Sequence, residues 1–242
     1  MFWFLMKYVF LGPVLRLLYR PKLAGLENIP ADGPAILAAN HQSFLDDLLL
    51  PLVVPGRKVV FLAKADYFDK WYLRWFFKGA NVIPVRRENA SAAEAALNTG
   101  VTALRDGNLV GIFPEGTRSP DFRLYRGKTG VARMALEAQV PVIPVAILGT
   151  FEAMPYDKKV PKPGKTELRF GKLLTFERYY DRPADRFVLR SVTDEIMYEI
   201  MMLSGQEYVD EYATKHKNAA VEEPVVDLTA AMAEESRLGQ GT

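Results

Sequence analysis

Ala35-Ile36-Leu37-Ala38-Ala39-Asn40-His41-Gln42-Ser43-Phe44-Leu45-Asp46-Asp47-Leu48-Leu49-Leu50 runs from one apolar segment, through a polar corner, into another. The first five residues read as a buried strand, and Asp47 to Leu50 read as the start of a helix. His41 therefore stands at a strand-to-helix corner. Similar alternation along the chain predicts an α/β fold: a single mixed or mostly parallel central sheet flanked by helices. Strands are expected at Ala35 to Ala39, Val59 to Ala63, Val82 to Arg86, Leu109 to Phe113, Val142 to Leu148 and Glu167 to Phe170. Helices are expected in the intervals, including Ala92 to Arg105, Val131 to Gln139 and Asp185 to Met202. A chain of 242 residues, 49% of them hydrophobic, can bury one sizeable core.

The spacing from His41 to Asp46 carries chemical information. On one continuous helix, five positions would rotate the two side chains about 140° apart. With a turn at Gln42-Ser43, Asp46 falls in the first helical turn and can reach back to one imidazole nitrogen. The other nitrogen is then free to take a proton from a substrate hydroxyl. A second reading is structural: Ser43 as N-cap with Asp46 three residues on forms a capping box. Both readings are open for Asp46.

A second segment, Phe113-Pro114-Glu115-Gly116-Thr117-Arg118-Ser119, follows the apolar run Leu109-Val110-Gly111-Ile112. Glu115, Gly116, Thr117 and Arg118 thus fall in a loop beyond a strand end, where open α/β sheets bind ligands. Gly116 permits a tight turn, Thr117 offers a hydroxyl, and Arg118 offers a forked donor set suited to phosphate. A plain surface turn with an exposed arginine is the competing reading.

Taken together, these segments resemble the PlsC-type glycerolipid acyltransferases, the 1-acylglycerol-3-phosphate acyltransferase family. Four blocks match in order: Asn40 to Asp46, Gly79 to Arg87, Phe113 to Ser119 and Val140 to Thr150. The resemblance covers about residues 20 to 175. It implies the glycerolipid acyltransferase fold, with His41 as base, Asp46 as its orienting carboxylate, and Arg87 and Arg118 on the phosphate of lysophosphatidic acid. Family members commonly carry a lysine where Lys64 stands, which adds Lys64 to the substrate-binding candidates. One departure is Arg86, at a place often acidic in the family, so either Arg86 or Arg87 could face the site.

The reaction implied is direct transfer of an acyl chain from a thioester to the sn-2 hydroxyl, giving phosphatidic acid. A thioester is already activated, and the chain has no cysteine and no G-x-S-x-G elbow, which disfavours a covalent serine or cysteine hydrolase. No cofactor is expected beyond acyl-CoA or acyl-carrier protein as donor substrate, and no metal site is legible. Tyr125-Arg126-Gly127-Lys128-Thr129-Gly130 superficially suggests a nucleotide loop, but Phe122 occupies the place of the required glycine. Aromatic and basic residues interleave at only one helix, too little for a nucleic-acid surface. Two alternatives stand beside the main reading: transfer to another lysophospholipid or a glycolipid hydroxyl, and a membrane-surface lipid-binding protein without catalysis.

Two stretches bear on location. Phe2 to Leu18 is apolar apart from Lys7, Tyr8 and Arg16, and is interrupted at Gly12-Pro13. Helical, it would rise about 26 Å, short of a hydrocarbon core of about 30 Å, so an embedded helical pair is expected at residues 1–20. Lys70 to Lys78 interleaves cations with Trp71, Tyr72, Trp75 and Phe76, a pattern suited to the headgroup layer of a lipid bilayer. The expected domain plan is an anchor at 1–20, an acyltransferase domain at 21–213 and a flexible tail at 214–242, with one short helix from Val225 to Met232. That plan implies a peripheral or monotopic protein on the cytoplasmic face of the cell membrane. The net charge of +2, with six acidic and three basic side chains in residues 211–242, leaves a modestly basic body suited to anionic lipid.

Overall fold

A computed structural model describes residues 2–64, 82–85, 90–155, 158 and 160–216. Its centre is a seven-stranded sheet among the described residues: β1 (Lys22–Ala24), β2 (Ala35–Ala39), β3 (Val59–Lys64), β4 (Val82–Val85), β5 (Leu109–Ile112), β7 (Val142–Leu148) and β8 (Glu167–Phe170). The spatial order is β1-β8-β7-β2-β5-β3-β4. Strands β7, β2, β5, β3 and β4 are mutually parallel, while β8 runs antiparallel to β7 and carries β1 parallel to itself. The expected mostly parallel α/β sheet is therefore present, with its two reversed strands at one edge. Separately, β6 (Leu124–Tyr125) pairs with β9 (Tyr208–Val209).

Sequence alternation decides which helix covers which face. From β2, Ile36 and Ala38 join one core with Val60, Val110 and residues of α4 (Ala90–Arg105), α5 (Gly130–Ala138) and α7 (Arg186–Ser204). Ala35, Leu37 and Ala39 point the other way, to Leu50 and Val53 of α3 (Phe44–Val53). All five β2 residues are fully buried, as expected of a central strand covered on both sides.

At the N-terminus, α1 (Phe2–Leu5) continues through a π-turn at Met6–Phe10 into α2 (Leu11–Tyr19). The break expected at Gly12-Pro13 is displaced. Pro13 lies in the first turn of α2, where a missing amide hydrogen is tolerated, and the wide turn before it carries the irregularity. Leu15 and Tyr19 cluster with Leu45, Leu49 and Leu52 of α3 and with Ala153 of α6 (Thr150–Ala153). Lys7 is buried there: its ammonium donates to Val54 O and lies 3.5 Å from Pro51 O, serving carbonyls at the end of α3. Burial, then the charge of Arg16, pulls the Lys7 pKa down to about 8. The opposite face is apolar and open, with Phe10 57% and Leu17 72% exposed. No helix among the described residues is long and apolar enough to cross a membrane.

Other expectations hold with small shifts of boundary. Strand β3 runs one residue further than expected, to Lys64, and β5 ends one earlier, at Ile112. Helix α7 starts at Arg186 because Asp185 caps it, accepting from Phe187 N and Val188 N. The stretch Lys70 to Lys78, Arg86, Arg87 and the helix expected at Val225 to Met232 lie outside the described residues.

Candidate active site

The site is built at the carboxyl end of β2, where the chain leaves the sheet and turns into α3. Asn40 fixes that exit. Its Nδ2 donates to Ile147 O at 3.0 Å and to Gln206 Oε1 at 2.7 Å, and its Oδ1 accepts from Ile147 N at 2.7 Å. These bonds continue the pairing of β2 with β7 by one side chain.

Asp46 serves both readings of its position. One carboxylate oxygen lies 3.0 Å from His41 Nδ1 and also accepts from Gln42 N at 2.7 Å and Ser43 N at 2.8 Å. Ser43 Oγ in turn accepts from Leu45 N at 3.3 Å and donates to Met154 O at 3.0 Å. The capping box is complete, and the same carboxylate holds the imidazole. With Nδ1 committed to Asp46, His41 presents Nε2 outward; its side chain retains 13% exposure while that of Asp46 has none.

His41 is also held by its backbone. Its N–H donates to Glu115 Oε1 at 2.9 Å, and its carbonyl accepts from Ser119 N at 2.7 Å. The two ends of the Glu115-to-Ser119 loop thus grip the two sides of one peptide residue, and Gly116, Thr117 and Arg118 arch between them. Gly116 makes that arch possible with φ +73°, a left-handed conformation that glycine adopts freely. The second oxygen of Glu115 accepts from Tyr125 N at 2.9 Å. Glu115, expected among substrate-binding residues, is thus a buried brace on two backbone amides. Its pKa is pushed up to about 7 by burial, against which the bonds from Tyr125 and His41 act.

Phe113 completes the support, lying against the imidazole with ring centroids 3.9 Å apart and planes 15° apart. Phe61 of β3 stacks next, 5.8 Å from Phe113. Its ring occupies space beside Gly111 of β5, where a Cβ would fall 2.2 Å from the ring's Cζ.

Of the remaining candidates, Thr117 and Arg118 sit half-buried on the arch between the residues that hold His41. Lys64 ends β3 at the same carboxyl edge of the sheet, paired in register with Val85. Arg87 is outside the described residues. Among the described residues, no group of three or more His, Asp or Glu side chains is placed to hold a metal ion. Asn40, Gln206 and Phe113 are supporting residues that the sequence did not mark as such. Asn40 and Phe113 stand inside the matched blocks, whereas nothing near Gln206 advertises a partner 166 positions away.

An acyltransferase family model matches residues 20–148. The 1-acyl-sn-glycerol-3-phosphate acyltransferase of Bacillus subtilis is 32% identical over 154 residues, 63% of this chain and 73% of the relative. A chloroplastic 1-acyl-sn-glycerol-3-phosphate acyltransferase of Arabidopsis thaliana is 36% identical over 138 residues. That match spans 57% of this chain and 38% of the plant relative, and one from Brassica napus is matched over 40% of its length. The crystal structure of the 1-acyl-sn-glycerophosphate acyltransferase PlsC from Thermotoga maritima superposes with a TM-score of 0.61 at 29% identity, covering 76% of this chain and 71% of that one.

Proposed function

This chain belongs to the acyltransferase family, and we propose that it moves a fatty acyl chain from an acyl thioester to the sn-2 hydroxyl of 1-acylglycerol 3-phosphate, giving phosphatidic acid. The observation that carries the proposal is the pairing of His41 Nδ1 with the buried Asp46 carboxylate at 3.0 Å, at the corner gripped by the Glu115-to-Ser119 loop. In this reading, His41 Nε2 takes the proton of the acceptor hydroxyl. The hydroxyl oxygen bonds to the thioester carbonyl carbon, the carbon–sulfur bond breaks, and the imidazolium returns its proton to the departing thiolate. Asp46 keeps the ring oriented and stabilises the transient imidazolium. No covalent enzyme intermediate is needed.

Arg118 and Thr117, with Lys64 and Arg87 or Arg86, are proposed to hold the acceptor's phosphate. Acyl-CoA or acyl-carrier protein supplies the acyl group. The open apolar face of α1 and α2 supports attachment to a lipid bilayer, each helix embedded in the near leaflet as part of an anchor over residues 1–20. The proposal includes a peripheral or monotopic position, on the cytoplasmic face of the cell membrane. The acyltransferase domain would span 21–213 and the tail 214–242.

Purified protein given labelled acyl-CoA and a panel of lysolipids tests this directly, with products read by mass. Labelled phosphatidic acid formed from 1-acylglycerol 3-phosphate supports the proposal. A product formed only from another lysolipid would replace the acceptor.

A further inference from the structure

Gly127-Lys128, rejected above as part of a nucleotide loop, is held by three contacts that do not involve the lysine ammonium. Lys128 N donates to Pro114 O at 2.8 Å, tying it to the segment that leads into Glu115. Arg190 donates to Gly127 O at 2.8 Å. Gly127 itself lies so close to α7 that a Cβ would fall 2.8 Å from Met197 Cγ and Sδ. From this fixed backbone the Lys128 side chain extends over Gly116: its Cδ, Cε and Nζ would each stand 3.1 Å from a Cβ on that glycine. The side chain is exposed, and its ammonium makes no hydrogen bond or ion pair among the described residues. Elsewhere on the surface, Arg123, Arg133, Arg169 and Arg190 are paired with carboxylates. A cation on a braced backbone, laid along the loop that grips His41 and without a counter-charge among the described residues, is suited to an anion brought by the substrate.

We propose that Lys128 is a specificity-determining residue that contacts the acceptor's phosphate from above Gly116, adding its charge to that of Arg118. The inference rests on the acceptor proposed above. A phosphate monoester carries about two negative charges near neutral pH and three acceptor oxygens, so it can take Lys128 beside Arg118 and the other cations proposed to hold it. Gly116 has a second use in this arrangement, since any side chain there would crowd the lysine stem away from the loop.

The test uses the full chain and two acceptors, 1-acylglycerol 3-phosphate and 1-acylglycerol, which differ only in the phosphate. K128Q should raise KM for the phosphate-bearing acceptor about tenfold, the low end of what a charge-assisted hydrogen bond contributes. Its kcat should stay within about twofold, KM for 1-acylglycerol should not change, and K128R should recover most of the loss. An unchanged KM, or an equal rise with both acceptors, overturns the proposal. If the wild-type protein does not acylate 1-acylglycerol 3-phosphate, the acceptor assignment falls separately. Calorimetry with glycerol 3-phosphate then decides Lys128: binding about tenfold weaker in K128Q supports its role, and equal binding removes it.

Discussion

The corner around His41 and the helices before residue 20 follow opposite rules. At the corner, polar side chains are buried and most of their bonds go to backbone: Asn40, Ser43, Asp46 and Glu115 are each at most 1% exposed, and all four contact main-chain groups. In α2 and the π-turn before it, large apolar side chains face outward while Lys7 is buried. In the proposed function, the contrast separates two tasks. Polar burial is costly and persists where geometry must be exact to fractions of an ångström, whereas apolar exposure is costly in water and is relieved where lipid replaces it.

His41→Ala should separate these tasks most sharply. Turnover should fall by about 10²- to 10⁴-fold, while sedimentation with anionic vesicles stays at the wild-type level. Loss of both together would mean the two regions are not independent. Asp46→Asn comes next, because it weakens the hold on the ring and the start of α3 at once. It should lower kcat by about tenfold or more and the unfolding free energy by about 0.5–2 kcal/mol, whereas Ser43→Ala should show mainly the stability loss. Kinetics and thermal melts on both variants check the ranking. On the other region, Leu17→Glu should weaken vesicle binding by about tenfold, in line with the transfer of one leucine from lipid to water, and leave kcat in detergent micelles unchanged. A fall in kcat there would show that the outer face of α2 also supports the corner.

The smallest effect concerns the Glu115 brace and depends on pH. Its folded pKa of about 7 lies above the ordinary glutamate value of 4.5, so the folded protein holds this proton more tightly than the unfolded chain. The resulting stabilisation is fully present below pH 4.5 and is lost as the pH rises through 7. Glu115→Gln removes that dependence and sets an amide NH₂ against a backbone N–H. The wild type's stability advantage over the variant should therefore shrink between pH 4.5 and 7, as read by denaturant unfolding at several pH values. A constant gap would mean that Glu115 is ionised throughout.

Much of the corner is legible in the sequence because its causes are local. The apolar run Ala35–Ala39 ends where the strand ends, and the Ser43–Asp46 spacing specifies the cap. Less legible is what depends on main-chain partners. The grip of Glu115 and Ser119 on His41 uses its N–H and carbonyl, which every non-proline residue possesses, so no residue type signals it. Lys7 reads as an interruption in an apolar stretch, yet its ammonium meets carbonyls of α3 more than forty positions away. Strand β1 is three residues long and mostly exposed, too short for a periodic pattern to stand out.

The three-ring stack gives Gly111 a role that its place inside a strand does not suggest. The imidazole rests on Phe113, Phe113 stacks on Phe61, and Phe61 fills the room left where residue 111 has only hydrogen. In the proposed mechanism, the placement of the His41 ring is therefore set partly by hydrocarbon volume on the neighbouring strands β5 and β3. A single methyl group at residue 111 would displace the lowest ring and, through the stack, shift the uppermost one, so the proposed proton transfer would be detuned without altering any polar atom.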